Sequence, residues 1–281
     1  MGIHQPLSGA LCVIAAATLT SCIQSSTLIK LKPDGSGTIE QTMTMTSEAA
    51  AQLTALSAMG DQKSKTAAGA SNEVFSEADA RNAISKMGTG VTYVSSEKID
   101  AADRKGRKAI YAFPDIRKVM VEEMAAPPSP GDLGGASGVA PKDAPMKFSF
   151  AQLPGGHALL TIAMPAVAAP ASPAPEMAGA AAALQNNAQM MEMMKMFLKG
   201  LQVDAAIQVD NLIKTTSPYV SGGTVTLLSV DFDKVLADPS LLERMQKAKT
   251  LAETKAFLKD AKGFKVITDP QLTIEFGGAR R

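Results

Sequence analysis

The sequence predicts an α+β fold, with an antiparallel sheet built from successive hairpins and helices packed on one face. Three observations carry this expectation. Ile39, Met43 and Met45 alternate with threonines across Thr38 to Thr46, the two-residue period of a half-buried strand. Short turns rich in Gly and Pro join such runs in pairs, which favours antiparallel neighbours. Helical segments fall between hairpins and not after every strand, so helix and sheet segregate.

Taken in order, Ser26 to Leu31 and Thr38 to Thr46 are strands around Pro33-Asp34-Gly35-Ser36-Gly37. Proline presets φ there and glycine accepts a positive φ. Ser47 is the expected cap of a helix over Glu48 to Met59. Ser76 caps the next helix, with Asp79 three residues on completing a capping box and Gly88 ending it after Met87. Val91 to Ile99 and Arg107 to Phe113 form a second hairpin, followed by a short helix from Asp115 to Met124. Met146 to Leu153 and Ala158 to Met164 form a third around Pro154-Gly155-Gly156. Glu176 to Gln202 reads as the longest helix, and Val203 to Val209 as a strand. Ser221-Gly222-Gly223 turns into a strand over Thr224 to Phe232. Helices follow from Pro239 to Lys249 and from Ala252 to Ala261, stopped by Gly263. Lys265 to Ile267 and Gln271 to Phe276 close the chain as strands.

The N-terminus carries a different kind of signal. Leu11 to Leu19 is an apolar run too short to cross a bilayer core, which needs ~20 apolar residues. Leu19-Thr20-Ser21-Cys22 follows it and has the form of a bacterial lipobox, although Met1 to Ser8 contains no Lys or Arg. Residues 1–21 are therefore expected to be a lipoprotein signal peptide cut by signal peptidase II. Cys22 becomes the acylated N-terminus, and residues 22–26 form a short tether. Each buried CH₂ of an attached chain adds ~0.8 kcal/mol of membrane affinity, and several chains on one cysteine anchor firmly. Ile23 stands where enterobacterial sorting uses Asp for inner-membrane retention, which favours the outer membrane of the cell envelope.

Residues 27–281 are expected to form one α+β domain, with Pro/Gly-rich loops at 125–145 and 165–175. Loss of the leader removes Cys12, so Cys22 is the mature chain's only cysteine and no intrachain disulfide can form. Formal net charge is +1 and Trp is absent, which argues against nucleic-acid binding. Aromatic residues make up 4% of the chain, too few for a carbohydrate platform. Past Cys22, the segment nearest to a membrane span is Ala178 to Leu201, and Gln185, Glu192 and Lys195 interrupt it.

Candidate chemistry is sparse. Met190, Met193, Met194 and Phe197 share one helical face by i, i+3, i+4 and i+7 spacing. Thioethers bind Cu(I), which makes a periplasmic copper-binding protein one alternative. The same spacing is the core stripe of an amphipathic helix, and a Met-lined apolar groove suits an acyl chain or a partner helix. His157 is the only histidine of the mature chain and sits in a Gly-Gly-His turn. A hydrolase would have to gather it with carboxylates such as Asp231 and Asp233, and no nucleophile elbow is present. No zinc motif, phosphate loop or EF-hand loop occurs. No catalytic residue, metal or cofactor is expected.

Two segments carry a family resemblance. Leu28 to Ile39, with its Lys-Pro-Asp-Gly-Ser-Gly turn, follows the lipobox cysteine closely. Tyr219-Val-Ser-Gly-Gly-Thr-Val-Thr-Leu227 and Asp231-Phe232-Asp233 come much later. Together they resemble a widespread set of bacterial lipoproteins without assigned activity and, more distantly, the LppM-type lipoprotein domain. The resemblance covers both ends of the mature chain and not its Pro/Gly-rich middle. It implies an anchored α+β domain and supplies no catalytic residues. The function expected is that of a lipid-anchored envelope protein acting as a non-catalytic binding or structural module. Its partners are the membrane, reached through the lipid, and a lipid or protein at an apolar groove.

Overall fold

The computed structural model describes residues 23–51, 54, 75–120, 146–164, 198–238, 253, 256 and 261–277. The strands are β1 (Gln24–Leu31), β2 (Gly37–Thr46), β3 (Thr92–Asp100), β4 (Arg104–Phe113), β5 (Lys147–Leu153), β6 (His157–Ala163), β7 (Gln202–Val209), β8 (Leu212–Thr215), β9 (Val220–Ser221), β10 (Thr224–Asp231), β11 (Phe264–Val266) and β12 (Gln271–Gly277). Helix α1 spans Glu77–Asn82 and α2 spans Phe232–Leu236. The described chain is thus mostly strand, a composition compatible with an α+β class.

Two sheets form instead of the single one expected. The larger has the order β11-β10-β7-β1-β2-β4-β3, with β9 paired to β10. The smaller has the order β5-β6-β12-β8. The expected hairpins are present as β1/β2, β3/β4, β5/β6 and β9/β10. The larger sheet is mixed, because β7 lies parallel to β1 from Gln24↔Gln202 to Leu31↔Val209. A hairpin pattern predicts only local antiparallel pairs and is silent on which distant strand closes beside them.

Odd-numbered residues of β1, β2, β4 and β7 form the inner face of the larger sheet. Ile29, Ile39, Tyr111 and Ile207 on that face share one core with Leu160, Ile162, Ile274 and Phe276 of the smaller sheet. The second sheet therefore covers much of the face that a layer of helices was expected to cover. Ala80 of α1 and Met87 join the same core, and Tyr111 donates its hydroxyl hydrogen to the Ala80 carbonyl at 3.0 Å. A second cluster sits where β1 begins and gathers Ile23, Met45, Ala50, Leu201 and Val203. The outer face is polar, with Lys30 and Lys108 flanking Glu40 across three strands.

Bulges break the alternation in three places. On β10 the register shifts between Thr226 and Leu228, so Leu227 reaches the core and Leu228 still faces Ala205. On β3 the shift falls at Val94, and on β8 at Ile213. Both extra residues turn outward and rank among the few exposed large apolar side chains, 55% and 48% exposed.

Several local expectations shift. β1 already pairs at Gln24, so the sheet takes up most of the tether expected over residues 22–26. Residues 47–51 are helical, but Thr46 is the cap: its Oγ1 accepts from Ala49 N, while the Ser47 hydroxyl donates to Ala102 O. The helix expected from Asp115 to Met124 is a 3₁₀ turn over Ile116–Lys118, and Val119 is extended and bridges to Gly88. The capping box at Ser76 and Asp79 forms in full, and the chain then tightens to 3₁₀ over Ala83–Lys86. Gly37 is required by close approach, since a Cβ there would lie 2.1 Å from the Lys30 carbonyl oxygen.

Candidate functional site

The inner face of β4 carries one buried charged residue, in an apolar column. Strand alternation places Arg107 beside Ala109, Tyr111 and Phe113, and Arg107 is buried at 9% exposure. A cation there needs strong acceptors. Its Nε donates to the Phe75 carbonyl at 2.7 Å, and its Nη1 to Ser96 Oγ at 2.8 Å.

Phe75 stands at the entry to α1 with φ +62°, a left-handed backbone that a bulky side chain rarely adopts. Arg107 holds its carbonyl from one side. Ser76, the next residue, caps α1 through Asp79 N at 3.1 Å and so fixes the chain on the other side. The strain at Phe75 is therefore held by two neighbouring sets of hydrogen bonds.

Between α1 and the sheet these residues line a half-open pocket of about 100 Å³. Met43, Phe75, Ala80, Ala83 and Ala109 supply apolar walls; Gln41, Asp79 and Arg107 supply polar ones. Beside it, Glu77 accepts from Arg81 Nη2 at 2.6 Å. The Tyr93 hydroxyl lies 3.1 Å from Glu77 and 2.8 Å from Ser96. The Arg81 guanidinium sits 4.3 Å over the Tyr93 ring. The bond from Arg81, and then that from Tyr93, hold the Glu77 carboxyl below its usual range.

Of the candidate site residues read from the sequence, His157, Asp231 and Asp233 are among the described residues, and none of these three lines the pocket. Cys22, Met190, Met193, Met194 and Phe197 fall outside the described residues, as do the leader and the loops at 125–145 and 165–175. The same holds for most of the helix expected from Glu176 to Gln202 and the whole of that from Pro239 to Lys249. His157 lies 3.5 Å from Glu275 across the smaller sheet. It is not gathered with Asp231 or Asp233. Asp231 pairs with Gln202 at the start of β7, whereas Gly277, the register partner of His157, bonds to Asp210 just past the end of β7. Eight strand residues separate those ends, roughly 25 Å.

Asp231 and Asp233 do not share a strand face either. Asp231 caps α2 by accepting from Lys234 N, and its carboxyl is held low chiefly by the Lys234 side chain. Asp233 lies in the helix and accepts from Gly200 N at 2.7 Å. Among the described residues no group of three or more His, Cys, Asp or Glu stands close enough to hold a metal ion, and no helix is long and apolar enough to cross a membrane.

No family model matches the chain, and no curated protein matches it. Among solved structures it is similar to the folded domain of LppM from Mycobacterium tuberculosis, determined by NMR. The TM-score is 0.31 at 8% identity, over 93% of this chain and 92% of that one. That is a distant structural relationship, and it carries no argument about site or activity.

Proposed function

We propose that this chain is a lipid-anchored envelope protein, tethered at Cys22, that acts as a non-catalytic binding module with its seat between α1 and the larger sheet. The observation that carries this reading is a buried arginine at the edge of an apolar pocket. Met43, Ala83 and Ala109 favour the first methylenes of a hydrocarbon chain, and Arg107 favours the anionic group that heads it. The class of ligand that meets both demands is a small anionic amphiphile bearing an acyl chain. The pocket is smaller than the ≈ 300–1,000 Å³ of a site for a whole drug-sized molecule, so it suits the end of such a ligand.

Titration with a dansyl-labelled undecanoic acid tests the seat. Wild-type protein is expected to bind the probe with a fluorescence gain. Ala83→Phe fills the pocket from the helix side and is expected to abolish that gain while urea unfolding stays near wild type. Absence of binding to the wild type, or undiminished binding to Ala83→Phe, contradicts the proposal.

A further inference from the structure

The distance between the anchor and the folded sheet sets how this protein sits on its membrane. Ile23 is already part of the fold: it is 8% exposed and packs with Met45 and Leu201. Its carbonyl accepts from Gln202 N at 2.9 Å. Cys22 is the next residue, and successive Cα atoms are 3.80 Å apart. A tether of one residue has no reach.

The larger sheet has two distinct ends. Ile23 marks one, together with the β3/β4 turn at Ala101–Asp103, where Asp103 O accepts from Ser47 N at 2.9 Å. Lys199 lies beside it, next to Gly200 and Leu201. The other end carries the β1/β2 turn from Lys32 to Ser36 and the β9/β10 turn at Gly222–Gly223. Gln24 and Lys32 stand eight residues apart along an extended strand, roughly 25 Å.

We infer that the end bearing Ile23 and the Ala101–Asp103 turn rests on the headgroups of the bilayer that holds the Cys22 lipid, with the strands of the larger sheet rising away from it. This rests on the lipidation proposed above. Peeling the chain away to lengthen the tether would expose Ile23 and break its bond to Gln202, so the flush position is the stable one. Charge at this end is mixed: Lys105 pairs with Asp100 and Lys234 with Asp231. Orientation is therefore set by the tether and does not depend on anionic lipid. The pocket follows from it, since Met43 and Arg107 face each other only a few residues from this end, which places the seat on the membrane-proximal half.

The mature chain has no cysteine other than Cys22, so a single introduced thiol can be labelled without ambiguity. The experiment uses the full lipidated protein in phosphatidylcholine vesicles carrying a headgroup nitroxide, with and without phosphatidylglycerol. Fluorophores are placed singly at Ala102→Cys, Lys199→Cys, Lys32→Cys and Ser221→Cys. Quenching several-fold stronger at Ala102 and Lys199 than at Lys32 and Ser221, with either lipid mixture, is the expected result. Equal quenching at all four positions, or the reverse order, overturns the orientation and leaves the lipidation intact. The intact mass of each sample separates the two claims: an unacylated Cys22 overturns the lipidation and the orientation together.

Discussion

Tyr111 links α1 to the sheet through one hydroxyl, and that hydroxyl is fully buried. Tyr111→Phe removes this buried hydrogen bond to the Ala80 carbonyl and is expected to cost about 1 kcal/mol in urea unfolding. Burial, and then the nearby Tyr93, push the Tyr111 phenol up to about 12, against an ordinary value of 10.0. The unfolded chain therefore loses this proton first as pH rises. The stability tied to it is complete below the ordinary value and is lost between that value and about 12. Alkaline unfolding of Tyr111→Phe is expected to show a shallower dependence over the same window; an unchanged slope contradicts the assignment. Arg107 belongs to the same scale. Its place in the pocket was legible in principle, because a charged residue two positions before Ala109 and four before Tyr111 shares their inward face. Charge alternation over Lys98 to Lys108 instead suggests a solvated hairpin tip, and Arg107 departs from that because the strand turns its side chain inward.

Among the elements, the hairpins and the α1 cap were readable because each is specified by neighbours in the chain. Ser76 and Asp79 lie three residues apart and bond reciprocally at 3.1 and 3.0 Å. Ser76→Ala is expected to destabilise the protein by about 1 kcal/mol. It is also expected to loosen Phe75, whose carbonyl faces Arg107; hydrogen exchange at Asp79 N–H reads both effects, and unchanged protection there contradicts the assigned cap. The bulges were not readable. Leu227 and Leu228 are adjacent and both needed inside, and only the three-dimensional position of Ala205 opposite them shows that a bulge resolves the conflict. The same holds for the cap at Thr46. Ser47 and Thr46 are both competent N-caps, and the Ala102 carbonyl takes the Ser47 hydroxyl.

For the whole molecule, closure depends on pairings across long stretches of sequence. β7 lies beside β1, and β12 beside β6, so the β1/β2 and β5/β6 hairpins are each completed by a strand from much later in the chain. A second sheet was invisible beforehand because local alternation marks a buried face without naming what buries it. The interlocking predicts that a fragment of residues 23–164 lacks cooperative urea unfolding, since β1 and β6 would each expose an unpaired edge and an uncovered core face. A sharp transition in that fragment would contradict the shared core. Anchoring of the molecule depends above all on the state of Cys22. The most direct measurement is the intact mass of the protein purified from the membranes of a cell that exports it. The expected mass is that of a chain beginning at Cys22 with acyl groups attached; a chain that keeps residues 1–21, or one that begins at Cys22 with a free thiol, contradicts it.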